Sequence, residues 1–136
     1  MRSLLHGVVA VAVLATATSA LAGAPSAEKG ERDLAKLLEG RAAGQPVRCI
    51  DPARSFSTEV FDGTAVVYRM PGGKLYVNRP SLGADMLDQD NMLRSRTFGA
   101  RLCQADGVSL VDRGKFPTTV GMVRLGAFVP YGKVER

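Results

Sequence analysis

TAVVYRMPGGKLYVN, residues Thr64–Asn78, reads as two strands joined by a tight turn at Pro71-Gly72-Gly73. A three-residue loop places Gly73 in the left-handed position and pairs Met70 with Lys74. Val67 then faces Val77, Tyr68 faces Tyr76, and Arg69 faces Leu75. One face carries Ala65, Val67, Leu75 and Val77. The other carries Val66, Tyr68 and Tyr76. A two-residue loop would set Tyr76 opposite Val67 and mix the faces, so the three-residue loop is expected. Apolar residues on the second face predict a cover there too. The stripe Leu34, Leu37 and Leu38 is the expected cover.

Working outward, Asp62-Gly63 is a hairpin turn signal. It joins this unit to Ser55–Phe61, in which Phe56, Thr58 and Val60 alternate with Ser57, Glu59 and Phe61. Val47–Ile50 is a short strand. On the other side, Asn78-Arg79-Pro80 ends the hairpin. Ser81–Arg96 reads either as a short helix or as an extended crossover through Met86, Leu87, Met92 and Leu93. Phe98–Cys103 reads as a strand with a bulge at Gly99. Ala105-Asp106-Gly107 turns into Val108–Val111, and Arg113–Pro117 is a loop. Thr119–Val129 reads as one bent edge or closing strand, and Pro130–Arg136 as a polar tail. Short strands at this spacing predict a mainly β, overall α+β fold: a small antiparallel sheet or partly open barrel with one N-terminal helix.

That helix is expected over Glu28–Glu39, with Ser26 capping its start and Gly40 ending it. Its leucine stripe docks on the sheet or on a partner. Before it, Met1-Arg2, the apolar run Gly7–Ala17 and the small residues Ala20-Leu21-Ala22 form a signal-peptide pattern. The run is shorter than the roughly 20 residues of a membrane span. The expected division is a signal peptide over 1–22, a helix and linker over 23–46 (Arg41–Gln45 being the linker), and a β domain over 47–136. An uncleaved anchor is the alternative. Cleavage after Ala22 removes 22 of the 136 residues and leaves 114. Position 24 is alanine, so the cysteine of a lipoprotein site is missing. These features predict a soluble periplasmic or secreted protein.

Two cysteines in an exported chain predict a Cys49–Cys103 bridge, free thiols being the alternative. From Cys49 onward the chain resembles an uncharacterised family of small exported proteobacterial proteins with a domain of unknown function. The resemblance rests on Cys49-Ile50, Gly63-Thr64, Gly73-x-Leu75-Tyr76-Val77-Asn78, Leu102-Cys103-x-x-Asp106, Leu110-Val111-Asp112 and Leu125-Gly126-x-Phe128-x-Pro130. It covers about two-thirds of the chain. It implies a β fold and an envelope location, and no reaction.

Cleavage removes His6, the only histidine, and with it Ser-His-Asp and Cys-His chemistry. There is no GxGxxG, P-loop or metal motif, and no cofactor is expected. Asp85, Asp88, Asp90 and Asn91 fail the calcium-loop spacing at Met92 and read as a solvated acidic loop. Arg94, Arg96 and Arg101, with Phe98 and Arg79 nearby, form a tentative surface for an anionic ligand, or a solvated face paired with Asp85–Asp90. Tyr68 and Tyr76 are a second candidate, either as a stacking platform or as packing residues. Removing Arg2 takes the formal charge from +5 to +4. With the basic residues scattered, nucleic acid is not the expected partner; an envelope protein or an anionic envelope component is. The expected function is a non-catalytic envelope binding or structural module. The alternative is a small hydrolase using two of Glu59, Asp62, Asp106 and Asp112.

Overall fold

The structure, a computed structural model, describes residues 24–96 and 99–135; the expected signal peptide, with His6, lies outside them, as does Phe98. Helix α1 spans Pro25–Leu38. Ten strands follow: β1 Arg41–Ala43, β2 Cys49–Ile50, β3 Ser57–Phe61, β4 Ala65–Arg69, β5 Leu75–Asn78, β6 Asn91–Ser95, β7 Leu102–Cys103, β8 Gly107–Asp112, β9 Thr119–Arg124 and β10 Phe128–Lys133. They form a five-stranded sheet in the order β1-β10-β5-β4-β3, a three-stranded sheet β6-β8-β9, and the pair β2-β7. Among the described residues all pairings are antiparallel, and no barrel closes.

The central hairpin has the expected register: Val67 opposes Val77, Tyr68 opposes Tyr76 and Arg69 opposes Leu75. The Met70 amide donates to the Lys74 carbonyl at 2.8 Å and closes the loop. Gly72 and Gly73 both stand in the left-handed region, at φ +80° and +79°, where a side chain would be strained.

Alternation along β4 and β5 divides the interior into two cores. Ala65, Val67, Leu75 and Val77 pack with Leu34 and Phe61, flanked by Leu37, Leu38 and Tyr131. Val66 and Tyr68 pack with Ile50, Leu102, Val108 and Phe128, among others. The leucine stripe therefore covers the Ala65/Val67 face. The Val66/Tyr68/Tyr76 face, for which it was expected, is covered by the three-stranded sheet and the β2-β7 pair. Both faces of β4 are buried, which explains its unbroken apolar run.

Three further expectations are corrected. Ala24, not Ser26, is the N-cap of α1, and it has no side-chain cap; Pro25 at the first helical position presets the backbone dihedral instead. Arg41–Ala43, read as linker, is a strand paired with β10. Thr119–Val129 is not one strand: β9 belongs to the small sheet, and Phe128 starts β10 in the large one, so most of the expected tail is sheet. Pro130 is tolerated because its missing N–H falls on the β1 side, where β1 has ended and Gly44 N–H donates to Pro130 O at 2.7 Å. Asn78 secures the crossover between the sheets by pairing its amide with Gly126.

Candidate functional site

The residues of the tentative ligand surface are dispersed. Tyr68 is 4 % exposed and meets Phe128 edge-on, with ring centroids 5.9 Å apart. It is a core residue, so Tyr68 and Tyr76 do not form an exposed stacking platform. Tyr76 is half-buried, with Lys74 Nζ 5.8 Å from its ring centroid. Tyr76 and Arg101 border a common hollow beside Cys49, together with Arg54. Arg94 lies over the Phe116 ring at 5.4 Å, and Arg96 is exposed just after β6. Among the described residues no ion pair joins Arg94, Arg96 or Arg101 to Asp85–Asp90; the ion pairs there are Lys29–Asp33, Arg69–Glu59 and Arg79–Glu31. The expected local pairing is thus replaced, for Arg94, by a ring contact.

The candidate acids have structural partners. Asp62 Oδ1 accepts the Gln89 amide at 2.8 Å, and Asp106 Oδ2 accepts the Cys103 amide at 2.7 Å. Asp112 Oδ1 accepts the amides of Gly114 and Lys115. Glu59 is held by Arg69 at 2.7 Å. Glu59, Asp62 and Asp33 do border one hollow, but Lys29 and Lys36 border it as well. Asp88 Oδ1 accepts the Asp90 amide and shapes the turn into β6. Among the described residues no three His, Cys, Asp or Glu side chains are placed to hold a metal ion.

A further concavity lies elsewhere. A cleft of about 530 Å³ separates β3 from β6, the facing edges of the two larger sheets. Thr58, Glu59 and Val60 form one wall, and Asn91, Leu93 and Ser95 form the other. Leu102, Val108 and Tyr68 also line it, and Arg113 and Gln89 add polar groups. The Tyr68 hydroxyl makes no hydrogen bond with the described residues. No fully occluded polar side-chain atom there lacks a partner, so this hydroxyl remains open to the cleft. Burial pushes the phenol up to about 12.

Hydrogen-bond phase fixes which backbone groups face out of each wall. Met70 and Lys74 are a bonded pair, so Tyr68–Tyr76 and Val66–Asn78 are bonded pairs as well. Ala65, Val67 and Arg69 therefore bond β3 through Phe61, Glu59 and Ser57, leaving the backbone groups of Thr58 and Val60 outward. The Leu125 amide bonds Asp106 O, which makes Val108–Val123 and Leu110–Gly121 bonded pairs. Ser109 and Val111 then bond Arg94 and Met92, leaving those of Leu93 and Ser95 outward.

Sequence reading singled out Glu59, Arg94 and Tyr68 separately, but not the two walls as one site. Their residues are ordinary strand residues, and their meeting depends on two sheets that share no local signal. The disulfide Cys49–Cys103 is present as expected, joining opposed residues of β2 and β7, and it fits an oxidising compartment. No helix among the described residues is long and apolar enough to cross a membrane. No family model, curated protein or solved structure matches the chain.

Proposed function

We propose that this chain is an exported, non-catalytic binding module of the cell envelope, with the cleft between β3 and β6 as its working surface. The observation that carries the reading is the lining of that cleft. It combines apolar side chains (Val60, Leu93, Leu102 and Val108) with polar ones, among them the Tyr68 hydroxyl, which is open to the cleft and has no partner among the described residues, and a single carboxylate, Glu59, already held by Arg69. Apolar side chains supply contact area in such a site, and placed polar groups orient the ligand. A two-carboxylate hydrolase needs two acids across one bond, and this cleft has one. Export is supported by the Met1–Ala22 pattern, by the disulfide and by the resemblance to exported proteins. The partner class is an envelope protein or another envelope component.

Affinity capture from an envelope extract tests the reading, comparing the wild-type chain with Ser95→Trp. Ser95 is exposed at the end of β6, so the indole fills the cleft without entering the core. The expected result is a component retained by the wild type and lost by the variant. Equal retention by both would remove the cleft as the working surface.

A further inference from the structure

We propose that the ligand of the cleft is an extended peptide segment, which adds as a strand between β3 and β6. The proposal rests on the cleft being the working surface. Its starting point is the fate of the sheet edges. An unpaired edge is a template for another chain, and proteins blunt such edges or cover them. The edge of β9 is capped at its last residue: Ser81 N–H donates to Arg124 O at 2.8 Å, and Arg124 N–H donates to Leu82 O at 3.0 Å. β1 is only three residues long. Among the described residues, β3 and β6 carry no main-chain partner along their outer edges, and both line the same cleft. Neither contains the lysine or proline that commonly blocks an edge.

Each wall offers a row of main-chain donors and acceptors. Thr58 and Val60 supply one row, and Leu93 and Ser95 the other, at the two-residue repeat of roughly 6.6 Å that an extended chain matches. Two bonds pin the inner end of the cleft. Gly63 N–H donates to Leu87 O at 2.9 Å, and Gln89 N–H donates to Asp62 Oδ1 at 2.8 Å. β3 ends at this pin and β6 begins there, so the walls run in opposite chain directions. A guest strand is antiparallel to one wall and parallel to the other. Its alternate side chains face inward onto Leu102 and Val108, and one of its polar groups meets the Tyr68 hydroxyl. A small amphiphile would satisfy the apolar side chains and Tyr68 but would leave both backbone rows to water. An extended peptide satisfies all three, by the mode of strand addition.

The test follows amide signals of the ¹⁵N-labelled exported chain by NMR. The probes are a blocked six-residue peptide of alternating threonine and valine, the same peptide N-methylated at its valines, and the amphiphilic dye anilinonaphthalene sulfonate. The expected result is saturable shifts at Thr58, Val60, Leu93 and Ser95 with the plain peptide and none with the methylated one. Tyr68→Phe is expected to weaken the plain peptide roughly three- to tenfold, the loss of one neutral hydrogen bond. Equal binding by both peptides, or shifts with the dye alone, would overturn strand addition and leave the cleft as a site for apolar small molecules. Silence of these amides to all three probes would overturn the peptide and the cleft together.

Discussion

Asn78 shows how one side chain can fix a crossover. It is fully buried, its Nδ2 donates to Gly126 O at 2.8 Å, and its Oδ1 accepts the Gly126 amide at 3.0 Å. A side chain on Gly126 would collide with the Arg79 carbonyl, so the approach needs glycine. Asn78→Ala leaves two backbone groups of Gly126 without partners. A loss of about 2–3 kcal/mol is expected, read as a lower urea midpoint with an unchanged slope. An unchanged midpoint would mean that the crossover is held by packing alone. Tyr68 adds a pH dependence. Its folded pKa of about 12 lies above its ordinary value of 10.0. The protonated phenol therefore stabilises the fold in full below pH 10, and this contribution is lost as pH rises through 12, approaching about 3 kcal/mol. Urea midpoints from pH 8 to 12 should fall in the wild type more steeply than in Tyr68→Phe. Parallel profiles would mean that the phenol ionises as readily in the folded chain as in the unfolded one.

At the scale of elements, α1 docks through Gly30 as well as through its leucines. A Cβ at Gly30 would collide with the Asp62 carbonyl and the Thr64 hydroxyl. Alanine favours a helix by about 1 kcal/mol over glycine, while overpacking a tight contact costs about 1–3 kcal/mol. Gly30→Ala is therefore expected to lower stability by up to about 2 kcal/mol, whereas Ser26→Ala, which removes no cap, should leave it unchanged in calorimetry. A stabilised Gly30→Ala would show that the helix is not seated on the β3–β4 turn. The elements also show what the sequence could and could not disclose. The β4–β5 register was legible because Pro71-Gly72-Gly73 admits one loop that keeps apolar faces unmixed. The stripe of α1 was legible as a stripe, but its target was not: both faces of β4 are apolar, and periodicity does not say which layer covers which. β10 was obscured by Gly132 and by Pro130, whose place in the sheet depends on β1 ending at Ala43. The cleft was the least legible feature, since outward backbone groups follow from the phase of ladders on two separate sheets.

For the molecule as a whole, the five-stranded sheet is the shared wall of two cores, and the disulfide ties together β2 and β7, which border the second. Cys49 and Cys103 are 54 residues apart, and the loop between them contains β3, β4, β5 and β6, hence both walls of the cleft. Their neighbours Ile50 and Leu102 are both buried in the second core. Closing a loop of this length restricts the unfolded chain by about 4 kcal/mol. That is a large share of the roughly 5–15 kcal/mol net stability usual for a single domain. Replacing both cysteines by serine is expected to lower stability by about 3–5 kcal/mol, and reduction of the wild type should match it. The folded baseline should survive, because Ile50 and Leu102 still pack, while the cleft next to Leu102 should exchange its amide protons faster. Urea titration of the oxidised, reduced and double-serine forms checks the magnitude, and hydrogen exchange at Met92 and Arg94, whose amides bond β8, checks the location. If all three forms unfold at one midpoint, packing between the sheets holds the molecule without the bridge. If the midpoints separate but exchange rises equally throughout, the bridge stabilises the whole fold and has no particular connection to the cleft.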